Sequence, residues 1–99
     1  MEKTYSGWSN YETWCTNTWI SNDEGIYDMV REEVDNSLKN DSEDYEVADV
    51  IKGLIEELRD REHKMNFGLF DDLLTASLDV VNWREIAGYY VDEWRENND

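Results

Sequence analysis

Apolar side chains recur along this chain at helical intervals, separated by short polar stretches. Tyr11, Trp14, Cys15, Thr18 and Trp19 fall at i, i+3, i+4, i+7 and i+8, one face of an α-helix. Ser9 and Glu12 open that run as a reciprocal capping pair, so the spacing predicts a first helix over 10–21. Ser21 and Glu24 repeat the pair ahead of Ile26, Tyr27, Val30, Val34 and Leu38, which predicts a second helix over 23–38. A polar loop with Asp41 or Ser42 as its cap leads into Val47, Val50, Ile51, Leu54, Ile55 and Leu58, a stripe that predicts a third helix over 44–64. Its basic end, Arg61 and Lys64, suits a helix C-terminus. Asn66, Phe67 and Gly68 interrupt, after which Leu69, Phe70, Leu73, Leu74 and Leu78 mark a shorter fourth helix. Asn82 and Glu85 start a fifth, with Trp83, Ile86, Ala87, Tyr90, Val91 and Trp94 on one face and a fraying tail from Glu96 to Asp99.

No proline interrupts these segments and the five glycines are scattered, so the fold class is all-α, a compact bundle of four to five short helices. Ninety-nine residues bury only about 60–65% of their unfolded surface, which is enough for a single domain over 1–99 and no more. A minor alternative pairs residues 1–10 or 66–70 as a short strand, since Thr4, Tyr5 and Trp8 have some β preference. Trp14, Trp19, Trp83 and Trp94 lie on the inward stripes and are expected in the core. Trp8 is expected to close the bundle end as a staple. Asn10, Asn17 and Asn22 lie near enough to the tryptophans to hydrogen-bond indole N–H groups, or else terminal backbone.

Charge changes the picture. Twenty-five acidic residues face nine basic ones, a formal net charge of −16, which would repel phosphate polyanions and excludes direct nucleic-acid binding. Five Trp and six Tyr in turn exclude a disordered acidic tail. The N-terminus lacks the pattern of a secretory signal and no apolar run is long enough for a membrane span, so the expected setting is soluble and cytoplasmic. Cys15 has no second cysteine to pair with and is expected to be a small buried hydrophobe. Lone His63 reads as a solvated residue at a helix end. The segment from Asp41 to Asp49 lacks the glycine and glutamate of a calcium hand. With so many acids, carboxylate pairs arise by chance and give no case for catalysis, so no enzyme activity, cofactor or metal is expected.

The candidate binding residues are acidic. Glu24, Asp28, Glu32 and Asp35 form one row on the second helix, and Asp41, Glu43, Asp44, Glu46 and Asp49 follow with no base between Lys39 and Lys52. Glu56 and Asp60 extend the charge along the third helix, and Asp92, Glu93, Glu96 and Asp99 form a further group. Each like-charge pair at helical spacing costs roughly 0.2–0.5 kcal/mol, so the rows give up stability. Spread over a compact domain of this size, the net charge averages roughly one per 2 Å, against about one per 1.7 Å in duplex DNA. A phosphate-mimicking face therefore requires that several rows share one side of the bundle. The simpler alternative is a solvated acidic surface that confers solubility.

The segments YSGWSNYETW, Trp19 to Tyr27 and Val81 to Ala87 together resemble a family of small proteins encoded by phages, plasmids and other mobile elements, without an assigned activity. The chain departs from that pattern at Thr16, Asn17 and Thr18, where more apolar residues are usual. The resemblance implies a genomic setting in which inhibitors of host defence nucleases are common, and it carries over no catalytic residue. Together with the charge, it leads to the expectation of an inhibitor of a host defence nucleoprotein, of anti-CRISPR or anti-restriction type. Its partner would be a basic nucleic-acid-binding protein whose groove the carboxylates occupy. The alternative is a non-enzymatic adaptor that docks through an exposed aromatic patch at Trp8 and Tyr11, its acidity serving solubility alone.

Overall fold

A computed structural model describes residues 7–62 and 69–98, and five α-helices account for most of them: α1 (Tyr11–Asn22), α2 (Glu24–Lys39), α3 (Asp44–Glu62), α4 (Leu69–Asp79) and α5 (Trp83–Asn97). The fold is all-α, and no strand occurs among the described residues. Of the strand alternative, residues 69 and 70 are helical and residues 7–10 contribute a single isolated bridge at Trp8. Residues 1–6 and 66–68, together with His63 and the end of the predicted third helix, lie outside the described residues.

Helices α2, α3 and α5 pack against one another, and α1 lies against α2 and α5. Val30 and Val34 from α2, Val47 and Ile51 from α3, and Ile86, Ala87, Tyr90 and Val91 from α5 form the core, each almost fully removed from water. This is the apolar stripe that the 3.6-residue spacing marks on each of those helices. α4 meets the core chiefly through Leu78.

On α1 the spacing points to the wrong face. Its buried residues are Thr13, Asn17 and Ile20, whereas Trp19 is 70% exposed and Trp14 is half-buried. Trp83 is buried and Trp94 partly so, as expected for core tryptophans. The reason lies in the neighbour. Thr13 Oγ1 accepts the backbone N–H of Asn82, 69 residues away, at 2.8 Å and donates to Asn10 Oδ1 at 2.7 Å, so the buried hydroxyl is satisfied on both sides. Two turns on, Ser21 Oγ meets the Tyr90 hydroxyl at 3.5 Å, so α1 and α5 run in the same direction in register 13 to 82 and 21 to 90.

The same junction moves two caps by a residue or two. Ser9 does not cap α1, because its N–H and its Oγ both donate to Glu85 Oε1, at 3.0 and 2.9 Å. Asn10 caps instead, accepting the N–H of Thr13 at 2.8 Å, and its amide donates to the carbonyl of Val80. Ser21 is inside α1, and Asp23 caps α2 by accepting the N–H of Ile26. At α3 neither Asp41 nor Ser42 is the cap. Glu43 precedes the first turn, its N–H bound by Glu46 Oε1 at 2.7 Å. Asp41 and Ser42 instead finish α2 in a Schellman closure, with Ser42 N–H on Ser37 O and Asp41 N–H on Leu38 O, which places Asp41 at φ 61. Asn82 caps α5 as expected, accepting the N–H of Glu85.

Candidate partner-binding surface

Because Val30 and Val34 turn inward, the row Glu24, Asp28, Glu32 and Asp35 lies along one outer side of α2, and Asp28, Glu32 and Asp35 of that row border α5. Between the two helices is an open hollow of about 240 Å³ whose walls include Asp28, Glu32 and Asp35 from α2 and Glu93 and Trp94 from α5, with Arg31 beside them. Asp92, Glu93 and Glu96 gather with Tyr89 on the adjoining side of α5. The acids of α2 and α5 thus share one continuous face.

Several of these groups are committed to holding the helices together. Trp94 Nε1–H donates to Asp35 Oδ1 at 2.7 Å and Lys39 Nζ lies 3.1 Å from Asp35 Oδ2. The indole hydrogen bond, with help from Lys39, holds the Asp35 carboxyl below its ordinary range. Tyr27 donates its hydroxyl to Glu93 Oε2 at 3.0 Å, and Arg31 Nε lies 3.6 Å from Glu93 Oε1. Burial and the hydrogen bond to Glu93 push the Tyr27 hydroxyl up. Glu24, Asp28 and Glu32 are exposed, with no ion pair among the described residues.

The expected face is brought together only in part. Asp41, Glu43 and Asp44 border a second hollow with Leu38, Arg95 and Trp94, so Trp94 links them to the α2–α5 groove. Asp49, Glu56 and Asp60 do not join them. With Val47, Ala48 and Ile51 facing the core, the 100° step per residue turns those three acids to the side of α3 away from α2 and α5. Asp60 also holds Arg59 at 3.0 Å. Along the longest dimension of 46 Å the net charge averages one per about 3 Å, sparser than duplex DNA.

The aromatic alternative is rearranged too. Trp8 packs against the core with its ring 5.9 Å from Tyr89, while Tyr11 is exposed and lies 5.6 Å from Trp14. Asn10 takes terminal backbone, the N–H of Thr13, and none of Asn10, Asn17 and Asn22 takes an indole N–H; Asn17 Oδ1 and Trp83 Nε1 are both buried without a hydrogen-bond partner among the described residues. Cys15 is half-buried rather than buried and borders an apolar hollow with Trp19, Ile26, Ile55, Leu74 and Leu78. Sequence reasoning missed the parts played by Tyr27, Arg31 and Trp94 in the groove. The i, i+4 placement of Tyr27 and Arg31 was a usable signal; the pairing of Trp94 with Asp35 had none, since nothing local joins residues so far apart.

Among the described residues, no group of three or more His, Cys, Asp or Glu is arranged to hold a metal ion, and no helix is long and apolar enough to cross a membrane. The molecule is an all-α bundle with an acidic inter-helix groove. The chain belongs to the family of unknown function DUF7249, whose model matches residues 1–97. No curated protein and no solved structure matches it.

Proposed function

We propose that the protein acts by binding, as an inhibitor that presents carboxylates to the basic nucleic-acid groove of a host defence nucleoprotein, of anti-CRISPR or anti-restriction type. The observation that supports this reading is the continuous acidic face of α2 and α5, on which Glu24, Asp28 and Glu32 stand exposed and without ion pairs among the described residues. The Asp28–Glu32 pair costs roughly 0.2–0.5 kcal/mol and neither carboxylate makes an ion pair among the described residues, which is what a surface kept for a partner looks like. Opposed fields of this kind accelerate encounter and make it sensitive to salt. Asp49, Glu56 and Asp60 have no part in this contact. The mobile-element setting suggested by the segments around Trp8, Trp19 and Trp83 fits the same role.

The test is phage plating on cells that carry a CRISPR or restriction system, with the protein supplied in trans. The wild-type chain should restore plating, and the triple variant Glu24→Lys, Asp28→Lys, Glu32→Lys should not, while its helix content by circular dichroism is unchanged. Restoration by the triple variant would remove the reading. The adaptor reading draws support from one observation, the 70% exposed Trp19 beside an apolar hollow, rather than from Trp8. Under it, Trp19→Ala would abolish partner capture at any salt concentration and the charge reversals would not.

A further inference from the structure

A guanidinium already occupies the edge of the α2–α5 groove, and it belongs to the chain itself. Arg31 Cζ lies 5.5 Å from the centre of the Tyr27 ring, and its Nε faces Glu93 Oε1 at 3.6 Å. Glu93 is turned into place by the Tyr27 hydroxyl, which holds the other carboxylate oxygen at 3.0 Å. The ring therefore supplies an aromatic surface and fixes the carboxylate beside it. Both contacts made by Arg31 are long, and its side chain is 46% exposed, so the pair contributes little and is displaced at small cost. Asp28 and Glu32 stand next to it in the same groove, exposed.

Resting on the reading that this face binds a basic partner, we infer that the groove is a receptor for an arginine side chain of that partner, and that Arg31 is a resident substitute which yields to it. The chemistry favours arginine over lysine. A planar guanidinium in the place of Arg31 can lie on the Tyr27 ring and hydrogen-bond Glu93 at its edge at the same time, whereas an ammonium is a hydrated point charge without a stacking face. In the unbound protein Arg31 covers the ring and offsets part of the negative charge, which lowers the affinity of the groove for other cations until a better placed guanidinium arrives.

The experiment titrates the full chain with two synthetic peptides of equal length and charge, one built on arginine and one on lysine, at physiological ionic strength. The wild-type protein should prefer the arginine peptide. Arg31→Ala should tighten the arginine peptide by about tenfold and the lysine peptide far less, because only the former gains the exposed ring. Tyr27→Leu, checked for helix content by circular dichroism, should erase the preference, and Tyr27→Phe should keep most of it. Equal tightening of both peptides by Arg31→Ala would overturn the arginine receptor and leave the acidic-face reading standing, since charge alone would then explain the gain. Failure of both peptides to bind, with wild type and variant alike, would overturn the two together.

Discussion

Trp94 and Asp35 are joined across the groove by a 2.7 Å hydrogen bond from indole nitrogen to carboxylate oxygen, which couples the end of α5 to the middle of α2. One member of the acidic row is therefore a structural anchor. Its neighbours Asp28 and Glu32 are not, and the distinction leads to the first expectation.

Asp35→Asn should be less stable than wild type at neutral pH, with the difference disappearing in acid. The folded carboxyl ionises below its ordinary value of 3.8, so the stabilisation is fully present above that value and is lost as pH falls through the lower folded value. Urea unfolding of both proteins at a series of pH values between neutrality and strong acid checks it; a gap that persists at the acid end would contradict the assignment.

Tyr90 gives the opposite end of the pH scale. Burial pushes its hydroxyl up to about 12, against a hydrogen bond from Ser21 that works the other way. The unfolded chain releases this proton near 10 and the folded chain does not, so stability should fall as pH rises from 10 toward 12. Absorbance titration of the tyrosines should show a last ionisation, beyond that of Tyr27, that is absent from Tyr90→Phe.

Thr13→Val removes the acceptor for the Asn82 N–H at a fully buried position while keeping the volume. It should cost about 1–2 kcal/mol, since the part-buried Asn82 N–H loses its acceptor and Asn10 loses the hydroxyl donor, and Thr13→Ser should recover most of it. Equilibrium unfolding in urea measures both, and a Val variant as stable as wild type would show that the hydroxyl is dispensable.

Trp19→Ala and Trp83→Ala separate two tryptophans that the sequence pattern treats alike. At 70% exposure the first should change stability by no more than about 0.5 kcal/mol, whereas the 9% exposed Trp83 should cost about 3–5 kcal/mol. Thermal unfolding of the two variants decides it.

That contrast also marks where the sequence was informative. On α2, α3 and α5 the apolar spacing identified Val30, Val34, Val47, Ile51, Ile86 and Tyr90 as core, because those helices bury side chains that need nothing but contact. On α1 the same rule selected Trp14 and Trp19, when the inward face carries Thr13 and Asn17. The buried Thr13 hydroxyl is matched by the N–H of Asn82, and Asn82 cannot be seen from residue 13. Ser9 failed as a cap for a similar reason, its donors having been taken by Glu85. The acidic row of α2 was legible as a row. Which of its members stand free was not, since Asp35 answers to Trp94 and Glu93 to Tyr27, contacts that exist only once α5 has docked.

The register of α1 on α5 has a consequence for how the chain is made. Ser9, Asn10 and Thr13 find their partners at Glu85, Val80 and Asn82, so α1 can lie against α2 as soon as both have formed, but its polar side stays unmatched until the start of α5 has been made. A nascent chain halted before residue 80 therefore leaves Asn10 and Thr13 without the Val80 and Asn82 backbone groups that complete them, with α1 held by α2 alone.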